Sequence, residues 1–338
     1  MNLLSIDISD FQFENGTVLP RATVMYATWG TLNANRDNVV LLPSHYMADS
    51  SGYEWLIGPG KALDPERQFL VATELFGNGN SSSPSNTPAP FDGVRFPVTS
   101  IRDNVEAVHR LLTQELEVKH LTAVIGFSMG AQQAFQWAVS HPNFIDRIVA
   151  TAGTAKSWPH GIVRLESQIA AIEADPVFAG GDYKVKPERG LEAFRAVWVA
   201  WLYSQAWWRE ELWKETYPPG TEFKTVSKDR MKGVIELDAN DLILQLRTWE
   251  QHDIGTTPGF GGDIKKALAA IKLPVLYMPS QTDLYFPVED AAFEARFIPR
   301  VTFTPIPSKW GHTAGCGSNS ADAKFLNEHI AAFLAERF

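Results

Sequence analysis

The chain has 338 residues, 45% of them hydrophobic and 20% charged, which is the composition of an ordinary globular protein and fits one large domain with an insertion or two small ones. A net charge of -9 argues against a nucleic-acid backbone as partner. A single cysteine, Cys316, excludes an internal disulfide framework and fits a cytoplasmic protein; in its Gly-Cys-Gly loop it reads as incidental.

The N-terminal stretch Met1 to Asp7 has no basic region followed by an apolar core, so no signal peptide is expected, and no apolar run is long enough to cross a bilayer. Residues 21–29 and 38–43 read as strands, and Val39-Val40-Leu41-Leu42 is the continuous apolar run of a strand buried on both faces. Phe69 to Thr73 repeats that pattern. Val105, Val108, Leu111, Leu112 and Leu116 recur at helical spacing, which predicts a helix over 105–116.

Thr122 to Gly126 is the next strand, and it runs into Gly126-Phe127-Ser128-Met129-Gly130 followed by a helical stretch over 131–139. A bare G-x-S-x-G arises by chance in roughly one chain in ten of this length. Strand, tight turn and helix together make it a nucleophile elbow, with the serine hydroxyl projecting from the sheet and a helix N-terminus aimed at the oxyanion that forms there. Residues 145–152 form a further strand. The alternation of strand and helix implies an α/β fold with a mostly parallel sheet flanked by helices.

Residues 156–262 have a different character: mostly helical, with seven of the eleven tryptophans, Trp158, Trp198, Trp201, Trp207, Trp208, Trp213 and Trp249. This insertion is expected to be a lid over the serine, leaving 1–155 and 263–338 as the core. Strands at 273–279 and 301–306 bracket a helix at 289–297, and a helix over 321–338, capped by Ser320, closes the chain.

A serine hydroxyl needs a base, and the base needs an acid to orient it. Asp283 follows a late strand within Ser280-Gln281-Thr282-Asp283, whereas Glu289 and Asp290 read as first-turn helix charges and Asp253 belongs to the insertion. His312 follows the last strand, whereas His329 lies in the final helix, His252 in the insertion and His141 at a helix end. The oxyanion hole should use the amide of Met129 and one from the loop Ser44-His45-Tyr46-Met47, with Met47 preferred and Tyr46 close behind; His45 braces that loop.

These motifs together resemble the homoserine O-acetyltransferase branch of the α/β-hydrolase fold. The resemblance is carried by Gly58-Pro59-Gly60-Lys61-Ala62-Leu63-Asp64, by Phe96-Pro97 with Ile101-Arg102-Asp103, by Asp175-Pro176 with Gly180-Gly181-Asp182-Tyr183, by Gly190-Leu191 and by the loops holding Asp283 and His312. It implies a Ser128–His312–Asp283 triad, an acyl-enzyme, a helical lid and a homodimer formed through lid helices. It also offers Arg195, the lid arginine after Gly-Leu, as a substrate-carboxylate ligand or a structural ion pair.

The branch holds both acetyltransferases and esterases. Its transferases commonly read G-G-S-M-G-G around the serine and carry Asp directly after the histidine; this chain has Phe127, Ala131 and Thr313 at those places. The ammonium of an amino-acid acceptor would therefore lack its carboxylate, and Trp198 and Trp201 would narrow a coenzyme A tunnel. The reading favoured is hydrolysis of short-chain, acetyl-type esters, with no metal or cofactor. The alternative is an acetyl-CoA-dependent O-acetyltransferase acting on homoserine or another small alcohol, and a non-catalytic binding scaffold is a third, less favoured class.

Overall fold

The computed structural model describes residues 2–336. Eight strands form one sheet in the order β1-β2-β4-β3-β5-β6-β7-β8: Asn2–Gln12 (β1), Val18–Trp29 (β2), Val39–Pro43 (β3), Phe69–Thr73 (β4), Leu121–Phe127 (β5), Ile148–Thr151 (β6), Val275–Met278 (β7) and Val301–Phe303 (β8). The pairs β1/β2 and β2/β4 are antiparallel and all others parallel. Every residue of β3, β4, β6 and β7 is buried, as strands covered on both faces must be. Burying each such Val or Leu contributes about 1.5–3 kcal/mol.

Helices α1 (Ile101–Arg110), α2 (Met129–Ser140), α8 (Ile264–Ala270), α9 (Val288–Ala295) and α10 (Ser320–Ala335) accompany the sheet strands along the chain. Between β6 and the α8–β7 unit run α3 (Pro159–Glu173), α4 (Glu188–Leu202), α5 (Gln205–Arg209), α6 (Phe223–Asp229) and α7 (Ala239–Glu250). α3 and α4 pack on each other, with Leu165, Ile169, Ile172, Leu191 and Phe194 in the same buried cluster. Trp198, Trp207, Trp213 and Trp249 join that cluster, so most of the insertion's indoles are core.

Four sequence expectations are corrected. β1 was not anticipated: it pairs only with β2 at the sheet edge, and the alternation of Leu4, Ile6 and Ile8 with Ser5, Asp7 and Ser9 is short and changes phase at Asp10, whose φ is 48°, before the buried Phe11. α1 starts four residues earlier than the apolar spacing suggested, because Ser100 and Asp103 form a capping box, and it ends in a π-helical turn over Leu111–Glu115. The strand expected over 301–306 stops at Phe303. The cap of α10 is Asn319 rather than Ser320: the Asn319 side chain accepts the Asp322 amide at 2.9 Å. The last two residues of the expected C-terminal helix lie outside the described residues.

Candidate active site

Ser128 stands between β5 and α2 with φ 57° and ψ -122°, a strained conformation for a residue with a Cβ. The turn closes only because its neighbours are glycines. A Cβ on Gly126 would lie 2.0 Å from the Gly130 carbonyl oxygen, and one on Gly130 would lie 2.5 Å from the Pro43 carbonyl oxygen and 2.7 Å from the Tyr53 hydroxyl. That hydroxyl staples the turn: it donates to Pro43 O at 2.7 Å and accepts the Phe127 amide at 3.0 Å. Nothing local in the sequence singles out Tyr53, because its partners come from two different strands.

The structure brings Ser128, His312 and Asp283 together. His312 Nε2 lies 3.0 Å from Ser128 Oγ, and His312 Nδ1 lies 2.8 Å from Asp283 Oδ2. Asp283 Oδ1 accepts the amides of Tyr285 at 2.7 Å and Phe286 at 3.2 Å. The carboxylate is thus fixed at both oxygens and buried with the imidazole. Gly311 positions His312 by close approach rather than by flexibility. Its φ is 61°, and a Cβ there would lie 2.7 Å from Leu202 O at the end of α4.

The rival acids and bases are placed elsewhere. Asp253 pairs with Lys156 at 2.6 Å, and Glu289 and Asp290 occupy the first turn of α9. His141 caps α2 and His329 bonds back to Phe325 O. His252 is buried, and burial pulls its basicity down to about 3. His45 packs edge-on against Phe127; burial, and next the nearby His312, hold it down at about 4, so it stays neutral.

Two expected ligand groups need correction. The Met47 amide donates to Gln245 Oε1 of α7 at 3.0 Å, so it is already engaged; Met47 itself takes a left-handed φ of 58°. Gln245 is anchored in turn through Nε2 to Gly77 O at 2.5 Å. Arg195 does not reach the site. Its Nε and Nη2 bond Glu192 at 2.8 and 2.5 Å, and its Nη1 donates to the carbonyls of Ser227 and Arg230. The guanidinium therefore ties α4 to the end of α6, the structural half of its expected role. The Met129 amide, at the first position of α2, has no helical partner by geometry, whereas Ala131 and Gln132 both donate to Ser128 O.

A cavity of about 330 Å³ opens over Ser128 and His312, walled by Tyr46, Trp198, Tyr203 and Arg230 among others. Tyr46 and Trp198 stack with centroids 4.8 Å apart. Among the described residues no Asp or Glu lines it. Thr313 turns its hydroxyl back onto Trp310 O at 2.9 Å. Cys316 also reaches the wall, and burial pushes its thiol up to about 11.

Among the described residues one group of donors has metal-ligand chemistry: Glu106, His109 and His141 place donor atoms within 4.8 Å of one another. The two imidazoles stack at 4.0 Å with planes 7° apart. A ring nitrogen binds a metal in its own ring plane, and two parallel planes share no such point. As arranged, the cluster is a stacked pair leaning on a carboxylate.

A profile of the alpha/beta hydrolase fold matches residues 38–315. The chain belongs to the alpha/beta hydrolase fold family. Within it, the chain is 34% identical over 335 residues to an ethyl acetate hydrolase of Pseudomonas veronii, covering 98% of this chain and 95% of that protein. It is 32% identical over 319 residues to a homoserine O-acetyltransferase of Trichormus variabilis, covering 90% and 87%. The solved structure of the acetyl esterase MekB superposes with a TM-score of 0.95 at 33% identity, covering 99% and 97% of the two chains. Both branches anticipated from the motifs are therefore represented among the relatives of this hydrolase-fold chain. Among the described residues no helix is long and apolar enough to cross a membrane.

Proposed function

We propose that the protein is a carboxylesterase-type serine hydrolase cleaving small esters with a short acyl group such as acetyl. His312 takes the Ser128 proton as Oγ attacks the ester carbonyl, and Asp283 holds the imidazole in the tautomer that can accept it. The oxyanion is received by the Met129 amide and, since the Met47 amide is engaged, by that of Tyr46. His312 then protonates the leaving alcohol, and water activated by the same imidazole releases the acid. The helical stretch 156–262 acts as the lid, and the working unit is a homodimer, which sedimentation velocity would measure.

The observation that carries this reading is the unbroken line Asp283–His312–Ser128 opening into a cavity without a carboxylate. Such a cavity suits a neutral ester and gives an amino-acid ammonium no partner. The likeness to proteins named ethyl acetate hydrolase and acetyl esterase supports the acetyl group.

The test supplies a short-chain acetyl ester in water and, separately, acetyl-CoA with homoserine. Ester turnover without acetylhomoserine is the expected result. Robust acetylhomoserine formation with negligible hydrolysis would replace the esterase by the transferase. Failure of both, with no phosphonate labelling of Ser128, would leave a binding scaffold.

A further inference from the structure

Arg164 of α3 is a buried cation with no anion beside it. It is 2% exposed and makes no ion pair among the described residues. Its Nη1 donates to Gln168 Oε1 at 2.9 Å, while Nε and Nη2 have no hydrogen-bond partner among the described residues. The guanidinium lies instead in an aromatic cage, 4.0 Å from the centroid of the Tyr285 ring, 4.7 Å from Trp249 and 5.8 Å from Trp198. Cation–π contacts offset only part of the desolvation of a buried charge. A hydrophobic side chain of similar length would fill this cage without orphaned donors, so the charge itself requires an account.

The cage backs onto the site. The Tyr285 ring packs on His312 at 4.7 Å, its amide binds Asp283, and its hydroxyl bonds Trp198 O at 2.6 Å. Arg164 and His312 thus both pack on the Tyr285 ring, and Arg164 is within electrostatic reach of Asp283. Burial pulls its basicity down to about 10, so it remains charged at neutral pH. The other groups facing His312 are Asp283 from the β7–α9 loop, Ser128 from the elbow, and His45 and Tyr46 from the β3 loop. His45 is uncharged near neutrality, and Arg230 stands across the cavity.

We propose that Arg164, which has no anion within ion-pair distance, is a positioning residue that acts across the Tyr285 ring as the distant counter-ion of Asp283 and so supports the arrangement in which His312 accepts the Ser128 proton. The inference rests on the reading of His312 as general base. A neighbouring cation disfavours the imidazolium, so it extends the base's working range toward lower pH. Removing it must move the acid limb of the activity profile upward.

The experiment measures kcat/KM for a short acetyl ester from pH 4.5 to 9 in wild type, Arg164→Met, Arg164→Gln and Arg164→Lys, with fold checked by circular dichroism. Arg164→Met and Arg164→Gln should shift the acid limb up by about half a pH unit or more, and Arg164→Lys should stay near wild type. An unmoved limb in a folded neutral variant, or an equal shift in Arg164→Lys, overturns the proposal. So does failure of both neutral variants to fold, which would assign the charge to the stability of the helical layer. A wild type that neither turns over ester nor labels at Ser128 would instead refute the esterase reading itself.

Discussion

Gln245 Oε1 accepts the Met47 amide at 3.0 Å across 198 residues of sequence. A helix of the insertion thereby holds a left-handed residue of the loop next to Ser128. The same loop is gripped from the core, where Gln133 Nε2 donates to Ser44 O at 2.8 Å. Without Gln245 the strained Met47 conformation loses its tertiary support. Loss of a whole oxyanion donor costs roughly 100- to 1000-fold in rate, and a loosened loop should cost less. Gln245→Ala is expected to lower kcat about tenfold with KM little changed, read by steady-state hydrolysis of a short acetyl ester.

Asp283 is engaged at both oxygens, so its exchange for an amide puts a donor where His312 Nδ1 donates. Asp283→Asn should keep the fold and reduce kcat by about 10⁴-fold, through the wrong tautomer of His312. Ser128→Ala should abolish both turnover and phosphonate labelling. Equal melting temperatures of the variants and the wild type are the control.

Trp198 closes the cavity by stacking on Tyr46 and presenting its carbonyl to Tyr285. Trp198→Ala should widen the cavity on that side while the backbone contact survives, and the acyl chain is expected to extend into the space it leaves. The ratio of kcat/KM for a hexanoyl over an acetyl ester should rise at least tenfold, since each added methylene gains a pocket worth about 1 kcal/mol. An unchanged chain-length profile would place the acyl group elsewhere.

Glu294 in α9 is fully buried and accepts the Ala155 amide at 2.8 Å, Trp158 Nε1 at 2.9 Å and the Tyr277 hydroxyl at 2.9 Å. Burial outweighs these donors and raises its carboxyl to about 7. The folded state therefore binds this proton more tightly than the unfolded chain. The stability that this provides is complete below the ordinary glutamate range and is lost as pH rises toward 7. Urea midpoints at pH 5 and pH 8 should show a smaller fall in Glu294→Gln than in wild type, even though the amide lowers stability at both by meeting donors with a donor.

The elements that locate the site were legible where one stretch of chain determines its own shape. Ser128 announced itself through an apolar strand, two glycines and a helix, all adjacent in sequence. Asp283 and His312 followed from the order in which strands of this architecture deliver their loops. Residues whose meaning depends on a distant partner were not legible. The direction of the Met47 amide is set by Gln245, and the orientation of Arg195 by Glu192 and the carbonyls of Ser227 and Arg230. Tyr53 and Arg164 carried no signal for the same reason: one bridges two strands, and the other looks like any polar residue of an amphipathic helix. Edge strand β1 escaped because its alternation of Leu4, Ile6 and Ile8 with polar residues is short and loses its phase at Asp10.

The insertion also reaches across to the core through Trp158, whose indole donates to Glu294 where α3 begins, beside the amide of Ala155 that ends the preceding core segment. Anyone shuffling this segment between homologues would carry over Gln245 and Arg164 but leave Met47, Tyr285 and Glu294 with their original hosts. Grafts cut at 156 and 262 should thus yield mismatched chimaeras. Exchanges that also move 44–47 and 283–294 would keep the interlocking parts from one parent.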